Sequence, residues 1–325
     1  MKKRHTGILL WIFIFLNTVS VAFSQKNPQI DLNGSWKFRK AGTKQWLDAK
    51  VPGTVHTDLM ANKLIPDPFA GTNEKDLQWI SDVGWEYIKV FNISDTLFRN
   101  RHIELVCKGL DTYANVYVND TLVIVADNMF REWFADIRYL LKIGVNTIRI
   151  QFPSITAENK ARYDALPTKL PGDEKVVCRK AAYHFGWDWG PTYITSGIWK
   201  PVFIRTWNYT NSLGVQYIQR SLTDSLAVLT GVFNVLTNLA DTAEIRIYDG
   251  KTLLASQMAG MKKGVNTVRV NFSIRNPQRW WSNGLGEPHL YSLRHEIYFA
   301  QRLESSETTK IGLRTLLMVQ NDDMA

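Results

Sequence analysis

The chain has 325 residues, 45% of them hydrophobic, with 39 Lys and Arg against 30 Asp and Glu and a formal net charge of +9 at pH 7. This length supports about two domains, each large enough to bury a core. The basic excess is mild and scattered, which excludes a nucleic-acid footprint and leaves an ordinary solvated surface.

Residues 1–24 read as an export signal: Lys2, Lys3 and Arg4 precede an apolar run over 8–23, and Ala22 and Ser24 supply small residues ahead of Gln25. The run is short for a bilayer span. The sequence thus implies an exported chain, periplasmic or secreted, without a stable membrane anchor. In that compartment Cys107 and Cys178, the two cysteines of the chain, leave a disulfide or a pair of buried thiols open, and their spacing matches no metal site.

Beyond the signal, helical periodicity is sparse and period-two alternation recurs. Trp36 and Phe38 alternate with Lys37 and Arg39, Ile103, Leu105 and Cys107 with Glu104, Val116 and Val118 with Asn115, and Val202 and Ile204 with Phe203 and Arg205. Such runs are half-buried strands, so the class is all-β. Asn119-Asp120 and Asp249-Gly250 fall between runs as hairpin turns. Irregular insertions over 51–82 and 154–184 are long for a compact β domain and are expected to carry function or cover an edge.

The stretch His184-Phe185-Gly186-Trp187-Asp188-Trp189-Gly190-Pro191 organises the rest. Glycine and proline punctuate it too densely for a core strand, so it is expected to be a shaped loop. An indole offers a flat face to the C–H side of a sugar ring, and a neighbouring carboxylate accepts hydrogen bonds from hydroxyls. The plainer reading is an aromatic plug at the end of a sandwich, with Asp188 capping backbone amides. In a regular strand Asp188 points away from Trp187 and Trp189. All three line one pocket only if Gly186 and Gly190 bend the chain.

Segments 144–152 and 264–272 share a Gly/Asn turn followed by an alternating strand, which we read as one local solution used in two separate sandwiches. The boundary between those sandwiches is expected near 208–213. After it, short strands at 215–218, 226–235, 244–248, 267–272, 291–299 and 311–317 follow the spacing of an immunoglobulin-like sandwich. Residues 320–325 are polar and patternless. Asp67, Glu74, Asp111 and Glu132 show no shared cleft, and hydrogen bonding to loop amides accounts for each. His56, His102, His184, His289 and His295 lack metal-ligand spacing, and no serine has a nucleophile context, so neither metal nor cofactor is expected. His184 borders the aromatic stretch, in a packing or supporting role.

Several motifs together resemble the N-terminal half of a β-mannosidase of glycoside hydrolase family 2. They are Leu32-Asn33-Gly34-Ser35-Trp36, Val51-Pro52-Gly53-Thr54-Val55-His56, Pro66-Asp67-Pro68-Phe69, Gly109-Leu110-Asp111-Thr112, Asn128-Met129-Phe130, Arg179-Lys180, Trp187-Asp188-Trp189-Gly190-Pro191, Trp280-Trp281-Ser282-Asn283-Gly284 and Gly312-Leu313-Arg314-Thr315. The resemblance implies a jelly-roll, galactose-binding-like β-sandwich over 28–210, an immunoglobulin-like β-sandwich over 211–318, and a linker at 319–325 to a (β/α)₈ barrel. That barrel, which would hold both catalytic glutamates, is not in this sequence, so no catalytic residue is expected here and the chain alone is expected to be inactive. Carried over, Trp187, Asp188 and Trp189 are substrate-binding: the carboxylate accepts from hydroxyls of a β-mannoside or mannose-containing oligosaccharide, and the indoles form a wall. Two other readings are a free-standing carbohydrate-binding module and a structural scaffold for a separately encoded barrel.

Overall fold

A computed structural model describes residues 29–318 and 320. The export signal and the residues after 320 lie outside the described residues. Among those described, no helix is long and apolar enough to cross a membrane.

The first sandwich is built from two antiparallel sheets. One, in the order β1–β12–β5–β8, pairs Gln29–Asp31 (β1), Val202–Trp207 (β12), His102–Cys107 (β5) and Trp133–Asp136 (β8). The other, in the order β3–β2–β4–β9–β6–β7, pairs Leu47–Val51 (β3), Gly34–Lys40 (β2), Trp85–Ile93 (β4), Gly144–Phe152 (β9), Tyr113–Val118 (β6) and Thr121–Asp127 (β7). The alternation in the sequence sets the faces: Trp36, Phe38, Ile103, Leu105, Cys107, Val116, Val118, Val202 and Ile204 all lie in one buried core. Glu104, on the opposite face of β5, is also buried, and there its carboxylate meets Arg205 Nε at 2.6 Å. Cys107 and Cys178 are free, buried thiols.

The two insertions are less irregular than expected. The first carries the helix Val55–Ala61, whose start is fixed by a reciprocal cap between Thr54 and Thr57. Asp58 ties this helix to the sheet, accepting from Tyr87 Oη at 2.7 Å and from the Lys50 amide at 2.9 Å. The second insertion opens with the helix Ile155–Asp164, capped by Ser154. It buries Ile155 and Asn159, and Asn159 Oδ1 accepts from Tyr113 Oη at 2.9 Å.

The second sandwich packs a three-stranded sheet, β13–β14–β17, on a four-stranded one, β16–β15–β18–β19. These are Thr210–Leu222 (β13), Leu226–Thr237 (β14) and Gly264–Arg275 (β17) against Thr252–Met261 (β16), Asp241–Asp249 (β15), Tyr291–Phe299 (β18) and Arg302–Ile311 (β19). Phe233, Ile245, Ile247, Val270, Leu293, Ile297 and Phe299 fill its core. Two strand expectations are corrected. The last strand spans Arg302–Ile311, not 311–317, and β16 escaped the sequence pattern because it is an edge strand with only Met261 buried.

β9 and β17 open in the same way. Asn146 Nδ2 donates to the carbonyls of Lys142 and Gly144 while its Oδ1 accepts from the Lys142 amide. Asn266 repeats this with Lys262 and Gly264. One side chain thus satisfies a turn's backbone and sets the register of the strand after it.

His56 and His295 are buried, and burial lowers both imidazoles to about 4. Both nitrogens of His295 are buried without a hydrogen-bond partner, and Glu307 Oε2 approaches only to 3.8 Å. The unfolded chain takes up protons below about pH 6.5 that the folded chain refuses until about pH 4. The stability these groups confer is therefore complete above 6.5 and lost as pH falls to 4, on the order of 3 kcal/mol per histidine. Denaturant midpoints should fall across that window, and His295→Leu should flatten the fall; an unchanged profile in that variant contradicts the assignment.

Candidate functional site

The aromatic stretch forms a small antiparallel hairpin, Phe185–Trp187 (β10) and Gly190–Thr192 (β11), in register Phe185 with Thr192 and Trp187 with Gly190. Asp188 and Trp189 make the tip. Gly186 has φ +87°, and a Cβ there would stand 2.3 Å from Thr192 Oγ1, so this position requires glycine. Gly190 has no such backbone. The bend comes from one glycine, before the first tryptophan.

Trp187 and Trp189 project to the same side and meet edge to face, with centroids 5.7 Å apart and planes at 74°. They remain 53% and 83% exposed, beside a cavity of about 560 Å³ lined also by Phe69, Tyr183, His184, Pro191, Tyr193 and Thr195. Exposed indoles grouped over a concavity mark a surface built for contact. Asp188 is exposed at the tip and is not in the wall of the cavity. Its carboxylate caps no backbone amide among the described residues, which removes the plainer reading of that group.

The first insertion supports the hairpin from beneath. Glu74 Oε1 accepts from the Thr192 amide at 2.6 Å, and Gln78 Nε2 donates to the Thr192 carbonyl at 3.0 Å. Tyr193 donates its hydroxyl to the Pro68 carbonyl, and its ring meets Phe69 and His56 edge-on.

At the base of the loop lies a buried ion pair. Lys180 and Asp111 have side chains 0% and 1% exposed, and Lys180 Nζ sits 2.6 Å from each Asp111 oxygen. The ammonium also donates to the carbonyl and the hydroxyl of Thr195, at 2.9 and 3.0 Å. Lys180 and Thr195 are the two ends of the segment that carries the hairpin, so one ammonium closes that loop and ties it to the sandwich. Burial pulls the lysine below its ordinary range, and Asp111 opposes this. Asp111 is further held by Thr112 Oγ1 at 2.6 Å and by backbone bonds in both directions with Gly197. Gly197 lies so close to Gly53 and Thr54 that a Cβ would meet their backbone at 2.8 Å.

A family profile described as "Glycosyl hydrolase 2 galactose-binding domain-like" matches residues 36–200, and one described as "Glycosyl hydrolases family 2" matches residues 219–314. The chain belongs to glycosyl hydrolase family 2. It is similar to the Beta-mannosidase B of Emericella nidulans, 31% identical over 307 residues that cover 90% of this chain and 36% of that relative. Among solved structures it is similar to a beta-D-mannosidase from Dictyoglomus thermophilum, at a TM-score of 0.80 and 34% identity, covering 88% of this chain and 36% of that one. An exo-chitosanase from Amycolatopsis orientalis, at a TM-score of 0.70 and 20% identity over 88% of this chain and 33% of its own, shares the fold. The chain thus spans little more than a third of the length of the relatives it matches.

In this family 2 chain the four carboxylates weighed from the sequence all have structural partners. Asp67 accepts from the Phe69 amide, Glu74 from Thr192, Asp111 from Lys180, and Glu132 from Lys108. Among the described residues no group of His, Cys, Asp and Glu could hold a metal ion. Sequence reasoning missed Phe69, Tyr193 and Thr195 in the cavity wall and the closure of the loop by Lys180. The one signal was Arg179-Lys180, a pair of cations next to the otherwise apolar Cys178 and Ala181.

Replacing Gly186 by alanine puts a side chain at φ +87° against Thr192, with strain on the order of 1–3 kcal/mol. The Trp187–Trp189 contribution to near-ultraviolet circular dichroism should collapse while the sandwiches keep their melting transition. An unaltered indole signal contradicts this account of the hairpin.

Proposed function

We propose that these two domains are the N-terminal, substrate-contacting part of an exo-acting, retaining β-mannosidase, which removes terminal non-reducing β-D-mannose residues. The observation that carries the reading is the hairpin itself: two exposed indoles packed edge to face beside a carboxylate that has no partner among the described residues, over an aromatic concavity. The similarity to proteins named β-mannosidase supports the choice of sugar. In this reading residues 28–210 are the sugar-contacting domain and 211–318 the immunoglobulin-like one, and residues 1–24 direct export.

The roles follow from chemistry. Trp187 and Trp189 pack against the C–H face of the mannose ring, and Asp188 accepts hydrogen bonds from its hydroxyls at the rim. Retaining hydrolysis needs two carboxyl groups about 5–5.5 Å apart, one as nucleophile and one as acid/base. Asp67, Glu74 and Asp111 near the cavity are committed to amides and to Lys180, and Asp188 alone does not make a pair, so the reading places catalysis in a (β/α)₈ barrel that completes the pocket. One open wall encloses a small ligand poorly, so affinity for a monosaccharide should be roughly millimolar.

The 325-residue chain should release no p-nitrophenol from p-nitrophenyl β-D-mannoside above a buffer blank. Methyl β-D-mannoside should quench its tryptophan fluorescence, and Trp189→Ala and Asp188→Ala should each weaken that binding about tenfold, or about 1.4 kcal/mol. Equal binding by the Asp188→Ala variant, or a preference for the β-galactoside, overturns the reading.

A further inference from the structure

The sugar-binding reading makes no use of the imidazole in the cavity wall. His184 lines the concavity and is half-buried, and its Nδ1 lies 2.9 Å from Thr195 Oγ1. The neighbours of that ring fix its protonation.

Thr195 Oγ1 has three partners: Asp111 Oδ2 at 2.6 Å, Lys180 Nζ at 3.0 Å and His184 Nδ1 at 2.9 Å. A hydroxyl has one proton and two lone pairs. A carboxylate only accepts, and an ammonium only donates. The hydroxyl proton therefore goes to Asp111, in a short charge-assisted bond, and one lone pair receives Lys180. The remaining lone pair faces Nδ1, so Nδ1 carries the imidazole proton.

The charges around the ring keep it to one proton. Burial and the Lys180 ammonium hold His184 below the ordinary histidine range, against the opposing pull of Asp111. His56, the other imidazole coupled to this cluster, is itself neutral down to about pH 4. A neutral ring protonated at Nδ1 has its lone pair on Nε2. His295 differs: both of its nitrogens are sealed in the core, whereas His184 opens on the cavity.

We propose that His184 is a further ligand-contacting residue of this pocket, its Nε2 accepting a hydrogen bond from a sugar hydroxyl, and that Asp111, Lys180 and Thr195 are positioning residues that fix its tautomer. The proposal rests on the sugar-binding reading above. It gives the pocket an acceptor in its wall, in addition to the carboxylate at its rim. Protonation of Nε2 converts that acceptor to a donor, so sugar affinity falls as pH drops through the His184 pKa.

Long-range ¹H–¹⁵N correlation of the histidine rings in the 325-residue chain, with His184→Gln to assign the resonances, tests this directly. The native ring should show a protonated Nδ1, a bare Nε2 and a pKa below 6.5. Lys180→Met should raise that pKa, and Thr195→Val, which leaves the ion pair in place, should shift the proton toward Nε2. Methyl β-D-mannoside should move the Nε2 resonance and leave Nδ1 nearly still. A native ring protonated at Nε2 overturns the proposal. So does an Nε2 resonance that ignores the mannoside at concentrations that quench the tryptophans, and in that case the sugar-binding reading stands. If the mannoside changes neither signal, both fall.

Discussion

An ammonium and a carboxylate buried together set the geometry of everything above them. Breaking such a pair by removing one partner costs about 3–5 kcal/mol, because the survivor keeps its burial and loses its counter-charge. Lys180 therefore cannot leave Asp111 without opening the base of the loop, and its bonds to Thr195 hold both ends of the hairpin segment to one point on the sandwich. The exposed indoles need this. Trp187 and Trp189 have little buried area of their own to hold them, so their placement is inherited from the ion pair and from the Glu74 and Gln78 struts.

The sandwich supplies the rigid reference for that pair. Asp111 follows β5 by four residues and is bridged to Gly197, which in turn presses against Gly53 and Thr54 at the start of the helix Val55–Ala61. The helix is pinned to β4 through Asp58 and Tyr87. A continuous set of short contacts thus runs from the core to the base of the hairpin. The second sandwich has its own core and repeats only the asparagine turn, which is a local backbone solution and carries no site chemistry.

Strand faces were legible in the sequence because burying one side of a sheet writes period two into the chain, as at Trp36 and Phe38. The helix Ile155–Asp164 was not, because it buries only Ile155 and Asn159 and carries no apolar stripe. The last strand was misplaced for a related reason. Glu304, Ser305 and Ser306 are polar yet buried in β19, whereas Leu316, Leu317 and Met318 are apolar yet exposed beyond it. At the site, glycine and proline announced a shaped loop, which folds as a short two-stranded hairpin, and the alternation of faces explained why Asp188 parts from the tryptophans. The pair beneath them was hidden because its members stand 69 residues apart and meet only through the fold.

The buried pair, and not the hairpin's own contacts, holds the aromatic surface in place. Amide hydrogen exchange of the native chain and of an Asp111→Asn variant tests it most directly. The largest loss of protection should fall on Phe185–Trp187, on the amides of Gly190 and Thr192 and on the backbone around Glu74. Native protection of the hairpin amides alongside weakened sandwich strands would contradict it.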